Sequence, residues 1–361
     1  MPERIYVIAE AGVNHNGNLA LALEMIDAAA SAGADAVKFQ TAIPEEVVAV
    51  GAPKAEYQKV ATGSAESQLE MVRRLHFVSN RDEAYAALVE RAKARNIDFL
   101  STPFDLPSLR FLVDELGIDT IKLASGEITN GPLLLETART ARNIILSTGM
   151  ATLEEVGAAL DVLAFGMTES GAAPSLAAFA RAGESANGWG KLAAGVTLLH
   201  CVTAYPAPIE AVNLRAMDAL RDAFGVRVGI SDHTSGIVVA VAAAERGATV
   251  IEKHFTMDRK LPCPDHAASL EPDELKSMVT AIREVERALG DGEKLPQPCE
   301  LPNIPVARRS LVARVPIAKG ERFTEANLAA KRPGTGISPM RYWDWLGKTA
   351  DRDYAADEVI A

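Results

Sequence analysis

The sequence predicts an α/β protein, a (β/α)8 TIM barrel followed by a small, mostly β module. Three observations predict it. Short apolar, β-branched runs alternate with longer amphipathic stretches, polar residues collect at the carboxyl ends of those runs, and the composition changes after residue 289. The eight runs cover residues 5–12, 36–41, 99–104, 120–125, 143–149, 196–203, 226–234 and 249–256. Helix-like stretches follow most of them, at 18–32, 107–116, 132–141, 153–163, 214–224, 237–246 and 272–289. In the first stretch Leu19, Ala22, Leu23, Ile26 and Ala30 share one helical face. Alternation of this kind implies parallel strands with right-handed crossovers. Eight units over ~285 residues suit a barrel in count and in length. The competing architecture is an open doubly wound sheet. It usually carries a glycine-rich phosphate turn after its first strand, and Gly12-Val13-Asn14-His15-Asn16-Gly17 lacks that spacing.

Two insertions interrupt the rhythm. Residues 42–80 separate the second strand from its helix and contain a helix-like piece, 66–75. Residues 165–193 are rich in Ala, Gly and Ser and read as a flexible, low-complexity excursion without chemistry. The barrel is expected to span 1–289, a Gly/Pro linker 290–304, and the second module 305–361. Within that module short strand-like pieces, at 310–315, 322–324 and 328–331, are punctuated by Gly and Pro. A unit of ~55 residues is marginal alone and would gain from docking.

Composition narrows the function. The chain has 361 residues, 48% of them hydrophobic and 24% charged, with a net charge of −11. No basic stripe marks a nucleic-acid face. No run of ~18 apolar residues marks a membrane span. The N-terminal residues enter strand-like sequence directly, so no signal peptide is expected. Three cysteines, Cys201, Cys263 and Cys299, fit no zinc motif and read as reduced thiols of a cytoplasmic protein.

The active site of such a barrel lies at the carboxyl ends of its strands. Those ends carry Glu10, Asn14 and His15; Lys38 and Gln40; Ser101 and Thr102; Lys122, Ser125 and Glu127; Ser147 and Thr148; His200, Thr203 and Tyr205; Ser231, Asp232 and His233; Glu252 and His254. Glu10, Lys38, Lys122, Glu252 and Lys253 interrupt otherwise apolar strands, where a charge is costly unless paired or used. Some of them can simply be ion pairs at the barrel mouth. His233 and His254 end adjacent strands and could share a cation. Without a cysteine partner they suit an open Mn2+, Co2+ or Mg2+ site better than a closed zinc site, or else they are hydrogen-bonded core histidines. His15 and His266 are weaker candidates, and His76 and His200 read as structural. Lys38 and Lys122, with Ser101, Ser147 and Ser231, offer donors to a phosphate or carboxylate. Either lysine could instead form a Schiff base, as in an aldolase.

The ordered motifs then carry a resemblance. Ile8-Ala9-Glu10-Ala11-Gly12-Val13-Asn14-His15-Asn16-Gly17, Lys38-Phe39-Gln40, Ser101-Thr102-Pro103-Phe104, Lys122-Leu123-Ala124-Ser125-Gly126-Glu127, Ser147-Thr148-Gly149-Met150 and Ser231-Asp232-His233-Thr234 resemble the sialic acid synthase family. Glu252-Lys253-His254-Phe255-Thr256 and Pro264-Asp265-His266-Ala267-Ala268-Ser269-Leu270 do too. The tail, Lys331-Arg332-Pro333-Gly334-Thr335-Gly336-Ile337-Ser338-Pro339, is similar to the family's antifreeze-like (SAF) domain.

The resemblance implies an enzyme that condenses phosphoenolpyruvate with an N-acetylmannosamine-type sugar. A nine-carbon 2-keto acid and phosphate would be the products. It implies a divalent metal, usually Mn2+, on His233 and His254, polarising the sugar aldehyde. It places Lys38, Lys122, Ser125, Ser147 and Ser231 around phosphoenolpyruvate, and Glu10 beside its C2. Gln40, Glu127, Tyr205 and Asp265 fall on the sugar side, and Thr102 and Thr203 join the substrate-binding set. Arg332 is expected to reach the sugar from a partner subunit in a domain-swapped homodimer. Three features depart from the family's pattern: Thr203 where Asn is frequent, Cys263 where Gly commonly precedes Pro-Asp-His, and the 165–193 insertion. The wording around Asn213-Leu214-Arg215 and Ala268-Ser269-Leu270 is closer to the legionaminic acid branch. A pyruvate-dependent class I aldolase and a non-catalytic sugar-binding protein are the alternatives.

Overall fold

The computed structural model describes residues 4–56, 58–59, 66–169, 171–262 and 264–361. Cys263, and the loop change expected from it, lie outside the described residues. The chain divides into two compact units, one ending at Gly290 and one from Asp291 to Ala361.

In the first unit eight strands form one parallel sheet: β1 (Tyr6–Gly12), β2 (Ala36–Thr41), β3 (Asp98–Pro103), β4 (Thr120–Leu123), β5 (Asn143–Ser147), β6 (Val196–Cys201), β7 (Arg227–Asp232) and β8 (Val250–His254). The hydrogen-bonded order is β3-β2-β1-β8-β7-β6-β5-β4, so β1 and β8 pair and the sheet curls round on itself. β3 and β4 pack side by side, and no ladder joins them among the described residues, so the barrel is nearly closed. Helices cover its outside, among them α1 (Leu19–Ala32); the 42–80 insertion carries α2 (Pro44–Val47) and α3 (Gln68–Leu75), and α4 (Arg81–Ala94) follows it. The helix expected at 107–116 begins as α5 (Leu106–Arg110) and continues through one π turn, Phe111–Glu115.

Strand alternation explains why this barrel has a site at one end only. Side chains of a strand point alternately to its two faces. Inside the barrel Ile8, Ala36, Leu100, Ile145, Leu199 and Val250 form an apolar layer. Two residues further along the same strands stand Glu10, Lys38, Thr102, Ser147, Cys201 and Glu252. A dry floor therefore underlies a polar layer at the carboxyl ends. At β7 the interior position is Gly229, where a Cβ would lie 2.1 Å from the Val250 carbonyl oxygen. Only glycine lets β7 and β8 pass there. The outward faces supply Val7, Phe39, Ile121, Leu146, Leu198, Ile230 and Ile251 to the larger core under the helices.

The expectation for 165–193 is corrected. α6 (Gly131–Thr140) and α7 (Leu153–Thr168) are followed by two further helices, α8 (Leu176–Glu184) and α9 (Ala186–Gly195). Ser175 and Ser185 cap them, accepting from the amides of Ala178 and Gly188. Ala178, Ala182 and Leu192 are buried, and the Phe165 and Phe179 rings meet edge to face at 5.1 Å. Small residues here allow close helix packing, which composition alone suggested was looseness. α10 (Ala216–Phe224), α11 (Val238–Glu245) and α12 (Pro272–Ala288) complete the outer layer.

The second unit begins with a short helix, α13 (Ile304–Ala307), and pairs β9 (Ser310–Ala313) antiparallel with β10 (Leu328–Lys331). One turn of helix, α14 (Tyr342–Trp345), follows. Phe323 anchors its core, 5.3 Å from the Trp345 ring and 5.9 Å from Tyr354. Ser310 ties the segments together, donating to the Pro333 carbonyl and accepting from Gly336 N.

Candidate active site

The polar layer opens into a cavity of ≈ 280 Å³ at the carboxyl ends of the strands. Glu10, Lys38, Gln40, Thr102, Lys122 and Ser125 line it from the first four strands and the turns after them. Ser147, Thr203, Tyr205, Ser231, His233 and His254 line it from β5 to β8 and their loops, and Asp265 closes one side. Two expected residues stand elsewhere. Glu127 sits in the turn after β4, held by Asn130 at 2.7 Å, and does not line the cavity. Arg332 belongs to the second unit, where its Nε donates to the Ala307 carbonyl.

At the floor two lysines and two carboxylates meet, all buried. Lys38 Nζ is 2.8 Å from Glu10 and 3.6 Å from Glu252, and it donates to Thr102 Oγ1 at 3.1 Å. Lys122 Nζ is 3.7 Å from Glu252 and donates to the Leu123 carbonyl. Ser231 donates to Glu252 at 2.8 Å. Burial raises the Glu10 carboxyl, with help from the Glu252 charge and against Lys38. Burial would also raise Glu252, but Lys122, Lys38 and the Ser231 hydroxyl override it and hold the group low. One carboxylate is thus fixed as an anion while its neighbour is poised to take a proton. Ser147 Oγ is buried in the cavity wall with no hydrogen-bond partner among the described residues, a donor without an acceptor.

Above this floor stand His233 and His254, ring centroids 5.4 Å apart, with Tyr205 4.2 Å from His233 and edge-on to His254 at 5.7 Å. His233 Nδ1 is 2.7 Å from the Val202 carbonyl oxygen. A carbonyl only accepts, so Nδ1 carries the proton and Nε2 presents its lone pair. Nε2 faces Ser231 Oγ at 3.3 Å, but the single hydroxyl hydrogen is committed to Glu252. His254 Nδ1 is buried without a hydrogen-bond partner among the described residues. Burial lowers the pKa of both rings and keeps them neutral, the form that binds metals. The donor set therefore fits a cation. Among the described residues no third His, Cys, Asp or Glu completes the group, so such a site would keep positions open for water or substrate oxygens.

The remaining histidines are held by other contacts, although His76 also lines the cavity. His15 stacks on Phe77 at 4.4 Å, His200 bonds the Val212 carbonyl, His76 meets the Val72 carbonyl, and His266 meets Thr256. Thr203 and Cys201 crowd Gly149, where a Cβ would lie 2.5 Å from Thr203 Oγ1. Gly149 N in turn donates to Ser125. Asp265 is buried, which pushes its carboxyl up to about 6 against the pull of Lys38.

Two elements of the site have parts that the sequence did not assign, although Glu252 itself was named there as a charge within an apolar strand. Glu252 is the hub of the charge cluster, and its signal was a carboxylate inside a strand of Val and Ile. The second is a largely apolar flank from the 42–80 insertion, where Val47, Val48, Met71, Val72 and Leu75 line the cavity beside Gln58, Gln68 and His76. Ser67 and Glu70 form a capping box that starts α3, and Arg73 ties it to Glu45 of α2 at 2.6 Å. Met71 and Leu75 pack on Val13 beside the mouth.

The chain matches two family models, the NeuB family over residues 25–294 and the SAF domain over 308–361. It is 48% identical over 358 residues to the N,N'-diacetyllegionaminic acid synthase of Campylobacter jejuni, covering 99% of each chain. The enzyme of the same name from Legionella pneumophila is 42% identical over 355 residues, 98% of this chain and 93% of its own. The crystal structure of N-acetylneuraminic acid (sialic acid) synthetase from Leptospira borgpetersenii, in complex with citrate, superposes with a TM-score of 0.66. It shares 33% identity, over 84% of this chain and 90% of that one.

Proposed function

The chain belongs to the NeuB family, and from that premise we propose that it is a nonulosonic acid synthase. It joins phosphoenolpyruvate to an N-acylated mannosamine-type aldehyde, with N,N'-diacetyllegionaminate as the product. The methylene carbon of phosphoenolpyruvate bonds to the aldehyde carbon, whose oxygen takes a proton and becomes a hydroxyl. Water adds at C2, and phosphate leaves with its bridging oxygen, giving the 2-keto acid.

The observation that carries this reading is the buried Glu10–Lys38–Glu252–Lys122 cluster beneath two neutral histidines. Lys38, Lys122 and Ser147, all buried, offer donors to phosphate and carboxylate oxygens at the floor of the cavity. Glu252 stays ionised, favours the charged form of both ammonium groups and holds them in place. Glu10, with its raised carboxyl, takes the proton from the water that adds at C2. His233 and His254 hold a divalent cation, Mn2+ or else Mg2+ or Co2+. That ion supplies Lewis-acid polarisation of the aldehyde. Tyr205, Gln40 and Asp265 orient the sugar. The apolar flank from α2 and α3 suits methyl groups, which favours a 2,4-diacetamido-2,4,6-trideoxy sugar over N-acetylmannosamine. The 48% and 42% identities to legionaminic acid synthases point the same way.

Arg332 is exposed in its own unit, and we assign it to the sugar site of a second copy in a domain-swapped homodimer. Two free thiols, Cys201 and Cys299, suit a cytoplasmic enzyme. Among the described residues no helix is long and apolar enough to cross a membrane.

The test is phosphate release from phosphoenolpyruvate with each sugar, side by side, with and without chelator. The diacetamido sugar should be the better substrate, and metal removal should abolish turnover. Phosphate release from neither sugar overturns the assignment. A second reading, a pyruvate aldolase, draws on Lys122, whose pKa burial lowers. Borohydride with pyruvate should leave no lysine adduct, and an adduct would favour that reading.

A further inference from the structure

Two charged side chains stand where the barrel wall is otherwise apolar. Asp232 ends β7, Lys253 lies in β8, and the two are in register. Strand alternation turns both away from the cavity, to the face on which Val228, Ile230, Ile251 and Phe255 pack under the helices. Lys253 Nζ is 2.8 Å from Asp232 Oδ2, and both side chains are fully buried. Nζ also donates to the Thr234 carbonyl. Asp232 Oδ1 accepts from Thr234 N at 2.9 Å and from Thr234 Oγ1 at 2.8 Å.

Burying such a pair carries a desolvation cost that apolar residues of similar size would avoid. Stability is therefore a poor reason for it, and its position offers a better one. Asp232 directly precedes His233, and Lys253 directly precedes His254. The pair bridges β7 and β8 behind the two rings and fixes the turn that carries His233. On its other side His233 is already held, through Nδ1 on the Val202 carbonyl and through its own carbonyl on Ala207 N at 2.9 Å. Among the described residues His254 Nδ1 has no hydrogen-bond partner, so the ring's place is set by the backbone of β8 and by its packing against Tyr205 and His233. We propose that the Lys253–Asp232 pair is a positioning device that sets the separation of His233 and His254 and thereby the affinity of the divalent-cation site. The inference rests on the metal reading above.

The test is calorimetric titration of Mn2+ into wild-type protein and the D232N/K253M variant, with phosphoenolpyruvate affinity measured on the same metal-free samples. Asn keeps an acceptor for Thr234, and Met fills the lysine's space, so what is lost is the hold of Lys253 on Asp232 and on the Thr234 carbonyl. The Mn2+ Kd should rise at least tenfold, in the range found for outer partners of metal ligands. Phosphoenolpyruvate affinity should stay within twofold. A Mn2+ Kd that rises less than tenfold, or an equal loss of phosphoenolpyruvate affinity, overturns the proposal. Should the double variant fail to fold, Thr234→Val decides: a Kd raised at least threefold supports the positioning role, and a smaller change removes it. Wild-type protein that binds no Mn2+ overturns the metal reading and this inference together. Wild-type binding that the variants fully retain removes this inference alone.

Discussion

The two units of the chain treat charge in opposite ways. Inside the barrel unit Glu10, Lys38, Lys122, Asp232, Glu252 and Lys253 are all buried. In the unit from Asp291 onward the buried polar side chains, among the described residues, are Ser310 and Asn327, both neutral. The second unit builds its core as a small domain ordinarily does, around Phe323, Leu311, Leu328 and Ile360. The barrel accepts a costly interior at one end only. Buried charges add little to stability, so their concentration beside a cavity marks where the molecule has been shaped for chemistry.

The comparison can be broken most directly at the charge cluster. Lys38→Met should lower kcat/KM by about 1,000-fold, as loss of a preorganised donor in a buried site does, while far-ultraviolet circular dichroism stays unchanged. A fall of only a few-fold would mean that the cluster is structural.

Asp265 sharpens the contrast through stability. Its carboxyl is raised from 3.8 to about 6 by burial. The folded state then binds the proton more tightly than the unfolded chain, so this group's contribution worsens as pH rises from about 4 to 6 and stays unfavourable above. Asp265→Asn should therefore stabilise metal-free protein at pH 7, by up to ~3 kcal/mol, and should flatten that part of the pH profile. Urea melts at pH 4 and 7 measure it, and destabilisation at pH 7 would contradict it.

Removing residues 291–361 should leave a folded barrel that binds phosphoenolpyruvate normally. Its kcat/KM for the sugar should drop by about 100-fold, the scale of a substrate held slightly out of place. Full sugar efficiency in the truncated protein would take Arg332 out of the site. The smallest effect concerns Glu10. With it protonated the cluster carries one net positive charge, and with it ionised none. Phosphoenolpyruvate affinity should therefore weaken several-fold as pH rises through the Glu10 titration, because a 1 pH-unit change in proton linkage is worth ~1.4 kcal/mol at most. Glu10→Gln should remove the dependence in a fluorescence or calorimetric titration.

Much of this was legible in the residues, because period-two alternation places an apolar floor at Ile8 and Val250 and a charge two positions on. The ends of adjacent strands pointed to His233 and His254, and the family motifs added an expected role. Other parts resisted for physical reasons. In 176–195 the Ala and Gly content looked like low complexity, although Ser175 and Ser185 were cap signals in plain view. Glu252 was visible as a misplaced carboxylate, but its role depends on reaching Lys38 and Lys122, residues of two other strands, at 3.6 and 3.7 Å. Glu127 matched a motif yet turns aside to Asn130, a contact that depends on the short 3-10 turn at Ser125–Glu127.

The apolar flank has a consequence for descent. Its residues come from one insertion between β2 and α4, whereas the charge cluster is spread over the strand ends. On the proposed function, one contiguous stretch of gene can therefore alter the wall beside the sugar without touching any residue of the charge cluster. Exchange of residues 42–80 between relatives should shift preference among sugar substituents, as a cassette carries one trait, while Gln40, Tyr205 and Asp265 lie outside the exchanged stretch.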